Sequence, residues 1–131
     1  SSWRRKVDPR GILVADVVLV PLEDGDRTEA LRKMGKTVIT IDLNPLSRTA
    51  QWANITIVDN VVRAVPNITE QAKKLKNLSE EKLKEILKSF DNRKNLGKMI
   101  EIIKNRLTEL AEKGVYILEA AQLYEEMRKI E

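Results

Sequence analysis

Neither cysteine nor histidine occurs anywhere in the sequence. Without cysteine there is no disulfide, no thiolate nucleophile and no thiolate-bound metal. Without histidine, the side chain most often used for proton transfer near neutral pH is missing. Any catalysis therefore rests on carboxylates, lysine, arginine, hydroxyls and a hard cation. Nucleotidyl and phosphoryl transfer depend chiefly on positioning and charge neutralisation, and they pass this filter. Aromatic residues make up only 4% of the chain, which suits parallel strands covered by helices better than an aromatic-cored sandwich. Glycine is scarce too, at 5 residues. No Gly-x-Gly-x-x-Gly fingerprint or Walker-type loop is present, which argues against a standard dinucleotide or P-loop enzyme. No apolar run approaches the ~20 residues that span a bilayer, and no basic-then-apolar leader opens the sequence. The cytoplasm is the expected location, with no membrane partner.

What is present is a chain of 131 residues, enough for one compact domain. Lys plus Arg number 24 against 20 Asp plus Glu, a formal net charge of +4. So small an excess describes a solvated, ion-paired surface with room for phosphate-bearing ligands. Nucleic acid is not an expected partner, because the basic excess and the aromatic content are both low. The sequence opens on Ser1 rather than Met, and the chain is read as part of a longer enzyme.

The first half alternates strand and helix signals. Asp16 to Pro21 is a short β-branched apolar run of the kind that forms a strand buried on both faces. The acidic turn Glu23 to Arg27 breaks it, and Thr28 to Met34 reads as a short helix closed by Gly35. Thr37 to Ile41 is a second strand, followed by a turn and by a helix from about Ser47 to Ala53, with Ser47 near its cap. Ile55 to Val58 is a third strand, ending at Asp59 and Asn60. Short connections between such elements predict right-handed βαβ units. The fold class is α/β: a Rossmann-like parallel sheet with strands near 17–21, 37–42 and 55–59, followed by C-terminal helices.

From residue 61 the pattern is helical. Pro66 is expected in a first turn or at a kink, Ser79 caps a helix whose apolar face is Leu83, Ile86, Leu87 and Phe90, and a longer stripe runs from Leu96 to Leu110. Ile117, Ala121, Tyr124 and Met127 suggest a last helix. These stripes are read as packing surfaces. The organisation predicted is a nucleotide-binding half, residues 1–60, with a helical region, 61–131, packing on it.

In open parallel sheets, ligands bind beyond the carboxyl ends of the strands. Three polar junctions fall there: Glu23 to Thr28, Asp42 to Thr49, and Asp59 with Asn60. In the first, N–H groups opening a helix offer an anion site and Arg27 adds a planar fork for phosphate. Its acids could hold Mg²⁺ through water or bond a ribose, or could be no more than a capped turn with Asp26 as the cap. In the second, Asp42 ends a strand where ribose-binding carboxylates often fall, and Ser47, Arg48 and Thr49 could grip a phosphoryl group. The plainer alternative is a loop held by Asn44 and Ser47 side chains. Asp59 and Asn60 read first as helix caps, with Arg63 on the same edge.

The run Asp16 to Leu31, continuing through Lys33-Met34-Gly35-Lys36, resembles archaeal phosphopantothenate synthetases, the 4-phosphopantoate–β-alanine ligases. So do Ile41 to Ala50, Thr56 to Asn60, and Phe90 to Leu96. The resemblance extends over roughly residues 4 to 110 and corresponds to the C-terminal half of the family. It implies a homodimeric ligase that joins 4-phosphopantoate to β-alanine while ATP, with Mg²⁺, is split to AMP and pyrophosphate. It also implies nucleotide binding by Asp24, Gly25, Asp26, Arg27, Thr28, Asp42, Leu43, Asn44, Ser47, Arg48 and Thr49. Arg48 and Asp26 are expected to carry the chemistry; no residue is assigned as a protein ligand to a metal. A non-catalytic nucleotide- or phosphosugar-binding module is the competing reading, because the order from Gly35 to Ser47 also resembles sugar-isomerase-type domains.

Overall fold

A computed structural model describes residues 10–21 and 24–113. The last helix expected through Ile117 to Met127 lies outside these residues, as do Leu22 and Glu23. The chain falls into two units, residues 1–99 and 100–131, each described by itself.

The first unit is built on a parallel sheet of order β1-β2-β3, formed by β1 (Val17–Pro21), β2 (Thr37–Ile41) and β3 (Ile55–Ile57). Helix α1 (Gly25–Lys33) joins β1 to β2, and α2 (Arg48–Trp52) joins β2 to β3. The register pairs Pro21 with Ile41 and Ile41 with Ile57, so the three strands end in one row. Val20, Leu31, Val38 and Ala53 form the core, with Val18 against it. Since Leu31 belongs to α1 and Ala53 closes α2, both helices cover the same sheet face. Buried threonines on that face are satisfied locally: the Thr40 hydroxyl donates to the Val20 carbonyl at 2.7 Å and the Thr56 hydroxyl to the Ala50 carbonyl at 2.8 Å.

This arrangement corrects the expectation that β1 is buried on both faces. Val20 is 4% exposed, but Val17 and Leu19, which point the other way, are 56% and 48% exposed. A strand shows opposite faces at alternate residues, and with both helices on one side, Val17 and Leu19 remain uncovered among the described residues. The β-branched run reports strand-forming tendency without reporting how many layers are present.

Helices α1 and α2 are tied at both ends. At the C-terminal end, Arg32 donates to the carbonyls of Trp52 (3.1 Å) and Lys36 (3.2 Å), and the Lys33 ammonium lies 6.0 Å from the Trp52 ring centroid. At the N-terminal end Gly25 touches Arg48. Gly35, at φ +78°, reverses the chain after α1 as its sequence position implied.

Three further helices follow: α3 (Val61–Leu75), α4 (Glu80–Ser89) and α5 (Asn92–Lys113). Asn60 caps α3 by accepting from the Val62 N–H, and Ser79 caps α4. Because α3 begins at Val61, Pro66 sits beyond its first turn and leaves the Val62 carbonyl without a donor from residue 66. The start of α5 is fastened to the sheet by amides. Asn92 accepts from the Thr56 N–H at 2.9 Å and donates to Ala50, Ala53 and the Thr56 hydroxyl, while Asn95 donates to the Thr56 carbonyl at 2.9 Å. Leu96 is buried, yet Ile86 and Leu87 of α4 and Phe90, just past its end, are exposed. In the second unit, Ile100, Ile103 and Leu107 of α5 are exposed likewise. The stripes have helical spacing, but nothing among the described residues covers these positions. No helix among those residues is long and apolar enough to cross a membrane.

Candidate nucleotide site at the strand tips

The aligned strand ends bring the polar junctions to one edge. At the first, Asp24 is the cap of α1, its carboxylate accepting from the Arg27 N–H at 3.1 Å. The helix therefore starts three residues earlier than its sequence pattern implied. Asp24 rather than Asp26 takes the capping role, which leaves Asp26 in the first turn with its carboxylate free to reach another element.

It reaches Arg48. One guanidinium nitrogen donates to Asp26 at 2.7 Å and the other to Glu29 at 2.7 Å. Asp26 and Glu29 are three residues apart and so share a face of α1, and that face meets the first residue of α2. Close approach is possible because residue 25 has no side chain: a Cβ there would lie 2.4 Å from the Arg48 Cβ and 3.4 Å from its Cα and carbonyl carbon. Asp26, followed by Glu29, holds the guanidinium even more firmly protonated than usual. The Glu29 carboxyl is lowered first by Lys33, at 2.6 Å, and then by Arg48, against an opposing contribution from partial burial. Sequence reasoning missed Glu29. Its spacing from Asp26 and Lys33 was the available signal, but such spacing is common on solvated helices.

The second junction is held from within. Asp42 accepts from the Asn44 N–H at 2.9 Å and from the Ser47 hydroxyl, Asn44 accepts from the Leu46 N–H at 2.9 Å, and Ser47 caps α2 by accepting from the Ala50 N–H at 2.9 Å. Pro45 is buried beneath this loop, whereas Leu43 stands 63% exposed beside it. Asp42 thus fixes Ser47, the residue preceding Arg48. At the third junction, Asp59 accepts from the Asn60 N–H (2.7 Å) and from Arg63 (2.6 Å), and it is Arg63 first, then Asn60, that lowers its carboxyl.

The structure therefore brings Asp26 and Arg48 into direct contact and joins Asp42, Asn44 and Ser47 into the loop leading to them. Arg27 and Leu43 face outward. Thr28 and Thr49 are buried, at 0% and 4% exposure, and support the two turns from inside. A resident Mg²⁺ needs an octahedron of oxygen ligands, some of them carboxylates. Among the described residues no three acidic side chains gather to hold a metal, and Asp26, Asp42 and Asp59 are each engaged by donors. These residues do not form a resident magnesium site. Their donors and fork suit an anionic ligand instead.

The family model described as phosphopantothenate/pantothenate synthetase matches residues 1–106. Proteins named 4-phosphopantoate–β-alanine ligase are similar to this chain. That of Thermococcus kodakarensis is 58% identical over 113 residues, which are 86% of this chain and 43% of the relative. That of Thermococcus onnurineus is 59% identical over 113 residues, with the same coverage. That of Methanosarcina mazei is 50% identical over 116 residues, 88% of this chain and 46% of the relative. The chain spans less than half the length of these curated relatives. With the matched region taking in the sheet, both capped turns and the Asn92 anchor, the chain belongs to the phosphopantothenate/pantothenate synthetase family.

Proposed function

We propose that the protein carrying this chain is an ATP-dependent ligase that condenses 4-phosphopantoate with β-alanine, working in the cytoplasm as a homodimer, and that the strand-tip turns bind the nucleotide. The observation that carries this reading is Arg48, fixed at the shared edge by carboxylates from another helix, in a chain 50–59% identical to relatives of that name. The reaction runs in two steps. A carboxylate oxygen of phosphopantoate attacks the α-phosphorus of ATP, forming the acyl-adenylate and releasing pyrophosphate. The amine of β-alanine then attacks the acyl carbon, losing a proton to water, and AMP leaves with the bonding electrons.

Neither step needs a thiol or an imidazole. Arg48 meets the phosphate chain, where charge moves as the P–O bond breaks. Asp26 holds Arg48 at this edge until the nucleotide arrives, and Asp24, Gly25, Arg27 and Thr28 form the turn that presents this pair. Asp42, Asn44, Ser47 and Thr49 keep the second turn in shape for the ribose and phosphates, and exposed Leu43 offers an apolar surface to the base. Magnesium would come with the nucleotide, held mainly by phosphate oxygens and water. The nucleotide-binding half ends near residue 60, and the helical region begins at residue 61. The test is product release by the intact native polypeptide: AMP and pyrophosphate should appear only when phosphopantoate and β-alanine are both supplied. Arg48→Ala should lower that rate at least tenfold, about 1.4 kcal/mol of transition-state stabilisation, without unfolding the protein. Unchanged kinetics in this variant would remove the site from the strand tips.

A further inference from the structure

The two carboxylates on Arg48 are not equivalent. Both lie 2.7 Å from a guanidinium nitrogen, but the Asp26 side chain is 75% exposed and the Glu29 side chain only 22%. Glu29 is also gripped on its other oxygen by Lys33 at 2.6 Å, one helical turn away, so it is anchored whether or not Arg48 moves. Asp26 meets Arg48 from the first turn of α1, at the solvent-facing end of the pair.

From this asymmetry, and resting on the reading of Arg48 as a phosphate contact, we infer that Glu29 is a positioning residue and Asp26 an exchangeable one. Glu29 keeps one nitrogen of the Arg48 fork and fixes the plane of the guanidinium. Asp26 occupies the other side until a nucleotide phosphate displaces it. The physical basis is that an exposed ion pair is screened and worth little, so a phosphate, with more charge and more acceptor oxygens, readily replaces one carboxylate. A fork already oriented by the second carboxylate loses less freedom on meeting that phosphate. Asp26 thereby satisfies Arg48 in the empty protein, and Glu29 holds it ready in the loaded one.

Two substitutions that remove the same charge should therefore have different outcomes. Binding of MgATP and of adenosine, which has no phosphate, is measured by calorimetry on the intact native polypeptide. Glu29→Gln should weaken MgATP binding at least fivefold and leave adenosine binding unchanged. Asp26→Asn should bind MgATP as tightly as the parent or more tightly. A pure charge effect would tighten both variants, and a pure folding effect would weaken MgATP and adenosine together; either result overturns the inference. So does an Asp26→Asn variant that weakens MgATP as much as Glu29→Gln does. If Glu29→Gln is too unstable to assay, Glu29→Asp replaces it, keeping the charge but drawing it back from Arg48, and undiminished MgATP binding there overturns the inference. Arg48→Lys separates the two levels: undiminished MgATP binding in that variant removes the underlying site, whereas a loss there, with no loss in Glu29→Gln, removes only the role of Glu29.

Discussion

The two βα junctions have the same outline and are stabilised in different ways. Each follows a parallel strand and ends in a capped helix, with Asp24 accepting from Arg27 N–H in one and Ser47 accepting from Ala50 N–H in the other. The second is self-contained: Asp42, Asn44 and Ser47 satisfy one another within a few residues. The first depends on a distant partner, because its glycine makes room for Arg48 and its acids bind that residue from 19 and 22 positions away. A locally bonded loop keeps its shape when its surroundings change. A loop shaped by tertiary contact shares its shape with whatever binds there, which is useful in a site that must accept and release a charged ligand.

That contrast can be tested by disturbing each junction in turn. Gly25→Ala should have the largest effect, because its new methyl falls on the Arg48 Cβ and the two helix starts must separate. Overpacking of this kind costs about 1–3 kcal/mol. Chemical denaturation should show the loss, and nucleotide affinity should fall with it. Asp42→Ala should come next, at about 1–2 kcal/mol, because the Asn44 N–H and the Ser47 hydroxyl lose their acceptor. Local hydrogen exchange should rise between residues 43 and 47 and remain near parental levels in α1. If exchange rose equally in both, the second junction would not be self-contained.

The smallest effect concerns acid. Glu29 titrates below its ordinary 4.5 in the folded chain. A lowered carboxyl contributes stability above its unfolded value and loses it as pH falls through the folded one. The difference in denaturation midpoint between the parent and Glu29→Gln should therefore be constant from pH 7 to about 5 and shrink below 4.5. A difference that grew on acidification would contradict the pairing with Lys33 and Arg48.

Local chemistry was legible in the sequence; pairing across distance was not. The β-branched runs located all three strands, because such side chains fit a pleated backbone. Ser47, Ser79 and Gly35 marked helix ends by interactions within a few residues. The start of α1 was misplaced because Gly25 and two aspartates resemble a turn, and only Asp24 capping distinguishes the alternatives. Both strand faces looked buried because Val17 and Leu19 carry the same apolar signal as Val18 and Val20, while coverage depends on where helices cross. Gathering of polar residues at one edge followed from the βαβ order. The clasp of Arg48 by Glu29 did not, since it depends on the absence of a Cβ at position 25.

The amides of Asn92 and Asn95 have a consequence for how this sheet can extend. The Thr56 N–H and C=O are the backbone groups of β3 turned away from β2, and helix side chains already engage both. A further strand arriving at that border would find no donor or acceptor at its centre, so the helix start acts as a stopper against unwanted edge-to-edge association.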